Sequence, residues 1–133
     1  MTPELAWLAK SVVMTALLWM PYVVNRMLEL GIAGAMGNPK QGATAKAAWA
    51  ERASRAHTNA VENLVIFAPL VLIAAVADIS SPQTIAACQL YFFARLAHYV
   101  IYTLGIPFLR TVAFIAGFIA QISMAIALFQ GVA

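Results

Sequence analysis

The sequence predicts an all-α integral membrane protein, a bundle of four transmembrane helices. Hydrophobic residues make up 63% of the 133 residues and charged residues 10%. A soluble domain of this size cannot hide that much apolar surface, so lipid must be the solvent for much of it. Helix breakers cut the chain into segments of near-spanning length, with the basic residues gathered around two of the connections. The length allows one domain, residues 1–133. The formal charge of +3 comes from basic residues too scattered for a nucleic-acid footprint.

Thr2-Pro3-Glu4 is a helix start, with Thr2 as N-cap and proline in the first turn. The first span is expected over about 5–30. It lacks a basic region before its apolar run, and Trp19-Met20-Pro21-Tyr22 is a poor cleavage context, so this helix should stay in the mature protein. Gly31 to Lys46, rich in Gly and containing Asn38-Pro39, reads as a loop. The second helix starts near Ala47, with a span over about 54–78. Ser80-Ser81-Pro82 is a tight turn and cap for the third span, 82–104. Gly105-Ile106-Pro107 then separates it from the fourth, 107–130. Arg26, Lys40, Lys46, Arg52, Arg55 and Arg110 flank the first and third connections, against Lys10 on the other side. The positive-inside rule thus puts those connections in the cytoplasm and both termini opposite. The lone Cys88 lies in an apolar segment, and no ligand set around it suggests a metal.

The second helix raises the functional question. Its segment RASRAHTNAVEN, residues 52–63, runs straight into the apolar stretch beginning at Leu64. At ~100° per residue, Arg52, Arg55, Asn59, Glu62 and Asn63 share one face, with His57 nearly opposite. On the third helix Tyr91, Arg95, His98 and Tyr102 follow i, i+4, i+7 and i+11. On the fourth, Arg110, Phe114, Gly117 and Gln121 share a face. Counting from the Ser80-Ser81 turn puts Glu62 level with His98 and Asn59 level with Tyr102, roughly 25–30 Å from that turn.

Each residue has a plainer reading. Arg52 reads as a headgroup charge, His57 as packed and hydrogen-bonded, the tyrosines as interfacial, and Glu62 with Arg95 as a structural ion pair. Yet an arginine inside a span costs at least ~2.5 kcal/mol on insertion scales. Arg95, His98 and Arg110 against one Glu62 leave positive charge over, and that surplus suits an anion. Glutathione fits the inventory, with carboxylates for the arginines and an amine for the glutamate. Charge alone does not choose it over other small anions.

Arg55-Ala56-His57-x-Asn59-x-x-Glu62-Asn63 resembles the signature of the MAPEG family, the membrane-associated proteins of eicosanoid and glutathione metabolism. The likeness continues in Asn38-Pro39, in Arg95-x-x-His98-x-x-x-Tyr102 and in Arg110-Thr111, and is nearest to the microsomal glutathione transferase and prostaglandin E synthase branches. It implies a homotrimer that binds glutathione as cosubstrate between subunits near the cytoplasmic side, and takes a hydrophobic electrophile from membrane lipid. By motif position Arg55, Asn59 and Glu62 would hold the peptide, with Arg95, His98 and Tyr102 from the third helix. Arg110 would stand at the thiol, as the catalytic residue. Thr111 occupies the place of a serine hydroxyl in some relatives, and Arg26 corresponds to an arginine near the end of the first helix, about a turn further from Asn38-Pro39. Two positions depart from the pattern: Ala60 replaces an acidic residue, and Phe114 replaces a tyrosine near the sulfur.

Three other readings remain open. A lipid- or partner-binding protein on the same scaffold would show no thiol chemistry. A small four-helix exporter would need a carboxylate deep in a span, whereas Glu4, Glu29 and Asp78 lie at span ends. A bis-histidine haem protein would need His57 on the polar face.

Overall fold

The computed structural model describes residues 1–131. These form five helical elements and no strand: α1 (Pro3–Leu17), α2 (Met20–Met36), α3 (Ala48–Val76), α4 (Pro82–Leu104) and α5 (Pro107–Gly131). Together α1 and α2 make one span, and α3, α4 and α5 make the others, so four helices are long and apolar enough to cross a membrane. The protein is a multi-pass integral membrane protein.

The helix ends follow local chemistry. The Thr2 hydroxyl accepts the Leu5 amide at the start of α1. Ser81 and Thr84 form a reciprocal capping box at the start of α4. Gly105, with φ 80°, closes α4 in the left-handed region that glycine enters without a Cβ penalty. The start of α3 has no side-chain cap of its own. Instead the Glu29 carboxylate accepts the amides of Lys46 and Ala47 at 3.1 and 3.0 Å, which ties α2 to the first turn of α3.

The first span differs from the expected single helix over 5–30. It breaks at Leu18-Trp19, because Pro21 brings no amide and its ring clashes with the carbonyl one turn back. Tyr99 of α4 donates its hydroxyl to the Leu18 carbonyl at 2.9 Å and so satisfies a group near the break. Tyr22, just beyond it, lies 2.8 Å from His57 Nδ1. Gly31 takes φ 71° and interrupts α2 where the loop was expected to begin, but residues 32–36 add a further helical turn. Pro69 is accommodated inside a continuous α3.

Two apolar clusters hold the helices. Leu8, Phe67, Val71, Cys88, Tyr91 and Met124 pack towards the α3–α4 turn, with Phe67 and Tyr91 stacked at 3.7 Å. Leu18, Ala53, Ala56, Ala60 and Tyr99 pack near the break in the first span. Alanines at Ala53, Ala56, Ala60, Ala74, Ala87 and Ala120 are buried at the contacts, where small side chains let helices in lipid approach closely. Large apolar residues such as Val65, Leu72, Phe93, Phe118 and Phe129 point outward, as a bilayer requires.

Candidate functional site

A polar seam runs through the bundle between α3, α4 and α5. Gln121 of α5 donates through Nε2 to the Asn63 side-chain and main-chain oxygens at 3.1 and 3.3 Å. Asn63 in turn donates to the main-chain oxygen of Asn59 at 2.8 Å, a back-bond along α3. The Asn59 side-chain oxygen then accepts Arg95 Nη1 at 3.0 Å. These contacts put one amide carbonyl against a guanidinium in the middle of an apolar bundle.

Arg95 is only 1% exposed, yet no carboxylate meets it. Its Nε and Nη2 are buried and have no hydrogen-bond partner. The guanidinium lies 5.4 Å from the Phe114 ring centroid. It fits against α5 because residue 117 is glycine: a Cβ there would lie 2.9 Å from Nε and 3.1 Å from Nη2. The cation is thus held by shape, by a π face and by one neutral acceptor. Those two nitrogens carry three N–H groups, and a buried donor left unmet costs about 1–3 kcal/mol.

His98 and Tyr102 continue the seam towards the α4–α5 connection. Their rings meet edge-on at 5.5 Å, and His98 also lies 6.1 Å from Phe114. The Arg110 guanidinium sits 4.4 Å above the Tyr102 ring, a cation–π contact, and forms no ion pair among the described residues. Arg95, Asn59, His98, Tyr102 and Arg110 therefore form one group joined by direct contacts or shared aromatic neighbours.

The other sequence-predicted residues lie elsewhere. Glu62 is exposed on the outer face of α3 and forms no ion pair among the described residues, so the Glu62–Arg95 pair of the plainer reading does not form. Arg55, also exposed, pairs with Glu51 at 3.1 Å, one turn back on the same helix. Arg26 lines a recess of about 500 Å³ beneath the α2–α3 loop, beside Glu29, Asn38, Lys46 and Ser54. Thr111 is exposed, and its hydroxyl donates to the Pro107 carbonyl at 3.3 Å. Asn59 meets Arg95 rather than Tyr102, its level by counting from Ser80-Ser81. Counting from the helix ends Val76 and Pro82 narrows the gap, and the reach of an arginine covers the rest.

Arg52 is not a free headgroup charge. Its Nε donates to the Thr103 carbonyl at 2.9 Å, and its guanidinium lies against Gly105, where a Cβ would come within 3.1 Å. It caps the C-terminal end of α4, where a cation is favoured by the helix dipole. His57 is held by Tyr22. No group of three or more His, Cys, Asp or Glu side chains able to hold a metal occurs among the described residues.

A buried arginine without an acid, a second arginine on a tyrosine face and an outward glutamate together suit an anionic ligand with one basic group. The sequence model of the MAPEG family matches residues 5–130, nearly the whole chain. The chain belongs to the MAPEG family, which includes glutathione transferases and related proteins. A search of curated proteins finds no match.

Proposed function

From that membership we propose that the protein is a membrane-bound glutathione transferase. The observation that carries the reading is that neither Arg95, inside the bundle, nor Arg110, at the start of α5, meets a carboxylate among the described residues. Glutathione brings two carboxylates and, once ionised, a thiolate, which offsets that charge. A guanidinium beside the sulfur favours the thiolate over the thiol. Arg110, which pairs with no carboxylate among the described residues, is the residue assigned to the sulfur. Asn59, oriented by Arg95, is assigned to the polar backbone of the peptide, with His98 and Tyr102 beside it.

Glu62 and Arg55 face outward from α3, while Tyr102 lies on α4 and Arg110 on α5. The proposal therefore includes a homotrimer, with Glu62 and Arg55 completing a site at the boundary between copies. Glu62 holds the ligand amine and Arg55 a carboxylate. Arg26, in its recess under the loop, and Thr111 border the same end of the bundle. The basic residues around the first and third connections favour, by the positive-inside rule, a cytoplasmic side for this end.

The reaction needs little further machinery. The thiol loses its proton to solvent, and the thiolate sulfur forms a bond to the electrophilic carbon of an apolar substrate drawn from the bilayer. The leaving group departs with its electron pair, or an acceptor double bond takes up a proton. With a lipid hydroperoxide the same thiolate would attack oxygen, and a second glutathione would be needed to complete the reduction. Proximity and thiolate formation supply the acceleration.

A second reading, a non-enzymatic lipid-binding protein, draws support from the deep burial of Arg95 and from Thr111, whose hydroxyl is already spent on α5. Conjugation rates with an apolar electrophile in proteoliposomes separate the two. The transferase reading expects a glutathione-dependent rate that falls at least about tenfold in Arg110→Ala, the order a lost charge-assisted contact gives. A rate equal to that of empty vesicles supports the lipid-binding reading.

A further inference from the structure

We propose a second site at the opposite end of the bundle, where Glu4 and Asp78 bind an oxygen-seeking cation of the Ca²⁺ type. The site stands apart from the glutathione reading and does not depend on it.

Glu4 lies in the first turn of α1 and is only 2% exposed. Its Oε1 accepts the Ser80 hydroxyl at 2.8 Å and the Thr84 hydroxyl at 2.6 Å. The Thr84 oxygen also accepts the Ser81 amide at 2.8 Å, so the positive end of α4 is relayed to the carboxylate. Glu4 also belongs to the N-terminal turn of α1 itself. Both helix ends and both hydroxyls favour the ionised form. Its second oxygen, Oε2, is buried and has no hydrogen-bond partner among the described residues. An ionised, buried oxygen with neither donor nor cation is costly.

Space for a partner exists. A recess of about 60 Å³ is bordered by Glu4, and Thr2, Asp78 and Ser80 are the other oxygen-bearing side chains that line it. No lysine, arginine or histidine lines it. The nearest base along α1, Lys10, lies over the Trp7 ring at 3.8 Å. Met1 is exposed, and no ion pair joins its amino group to Glu4 or Asp78.

Asp78 is an odd choice for its position unless it serves this recess. It follows α3 in the left-handed region, φ 53°, and Ile79 N–H bonds back to the Ala74 carbonyl at 2.9 Å. Such helix ends favour glycine or asparagine. A carboxylate there also faces the negative end of the α3 dipole. Backbone and charge both argue against aspartate, and a cation bound between Asp78 and Glu4 reverses the second objection. Two carboxylates with the Thr2 and Ser80 hydroxyls make an oxygen-only set of side chains around the recess, which suits a flexible Ca²⁺ shell completed by water and does not suit zinc.

Trp7 lies one turn from Glu4 on α1 and can sensitise Tb³⁺, a luminescent stand-in for Ca²⁺. The experiment titrates the full-length protein in detergent with Tb³⁺, exciting tryptophan, and follows melting with Ca²⁺ or chelator. The expected result is saturable emission displaced by Ca²⁺, lost in Glu4→Gln and weakened at least about tenfold in Asp78→Asn. Ca²⁺ should raise the melting temperature of the wild type but not of Asp78→Asn, which in chelator should match or exceed the wild type. Asp78 is exposed, so this variant decides the matter if Glu4→Gln does not fold. No saturable emission, an Asp78→Asn titration like the wild type's, or a melting temperature indifferent to Ca²⁺ would each overturn the proposal.

Discussion

Replacing Gly117 with alanine should destabilise the protein, although helix propensity alone says the opposite. In an exposed helix interior this change gains about 0.8–1.0 kcal/mol. Here the new methyl would lie 2.9 Å from Arg95 Nε, 3.1 Å from Nη2 and 3.2 Å from Cζ. The guanidinium cannot yield cheaply, because Nη1 holds Asn59 at 3.0 Å and Phe114 packs on the other side. Overpacking of this kind costs about 1–3 kcal/mol. Losing a hydrogen bond to a charged donor adds about 1.5–3 kcal/mol if Asn59 is released. Against the gain of nearly 1 kcal/mol, the net loss is up to about 2 kcal/mol if the Asn59 bond survives and about 1.5–5 kcal/mol if it is lost. Thermal or denaturant unfolding in a fixed detergent reads it, and a double-mutant cycle assigns it. In an Arg95→Met background the same alanine should become neutral or stabilising, because the clashing group has gone. A stabilising Gly117→Ala in the wild-type background would refute the packing of Arg95 between α4 and α5.

Three further outcomes follow from the same contacts. Tyr99→Phe removes the hydroxyl that serves the Leu18 carbonyl and should cost about 1 kcal/mol in unfolding free energy, with faster amide exchange around the break in the first span. Glu29→Ala should loosen the α2–α3 loop by freeing the Lys46 and Ala47 amides, seen as faster exchange at the start of α3 with α4 and α5 unaffected. Glu62→Gln should raise the glutathione dissociation constant at least about tenfold by calorimetry while leaving the melting temperature unchanged, since Glu62 is exposed and forms no ion pair among the described residues. An unaltered affinity would remove Glu62 from the site.

Most helix limits were legible because their signals are local. Thr2, Ser81 and Gly105 act within a few residues of the ends they close, so spacing alone reveals them. The polar stripe on α4 was legible for the same reason, since helical periodicity puts Arg95, His98 and Tyr102 on one face. Partnerships between helices were not. Nothing local indicates that Arg52 reaches the Thr103 carbonyl, or that Glu29 caps a helix beginning nineteen positions later. Pro21 was available as a signal for the break in the first span, but apolar periodicity on both sides masked it. Glu62 and Arg95 invited pairing by charge and depth. They differ in azimuth on packed helices, which only the packing itself reveals, and the acceptor turned out to be a neutral asparagine.

The central claim is that the arginine cluster converts a bound thiol into a thiolate. An ultraviolet difference titration with glutathione, following thiolate absorbance in the wild type and in Arg110→Ala, tests it most directly. The account predicts a saturable thiolate signal in the wild type that is lost in the variant, with both proteins folded. A signal of equal size in the variant would take Arg110 from the thiol. No signal in the folded wild type would contradict the claim itself and make the cluster a site for some other anion.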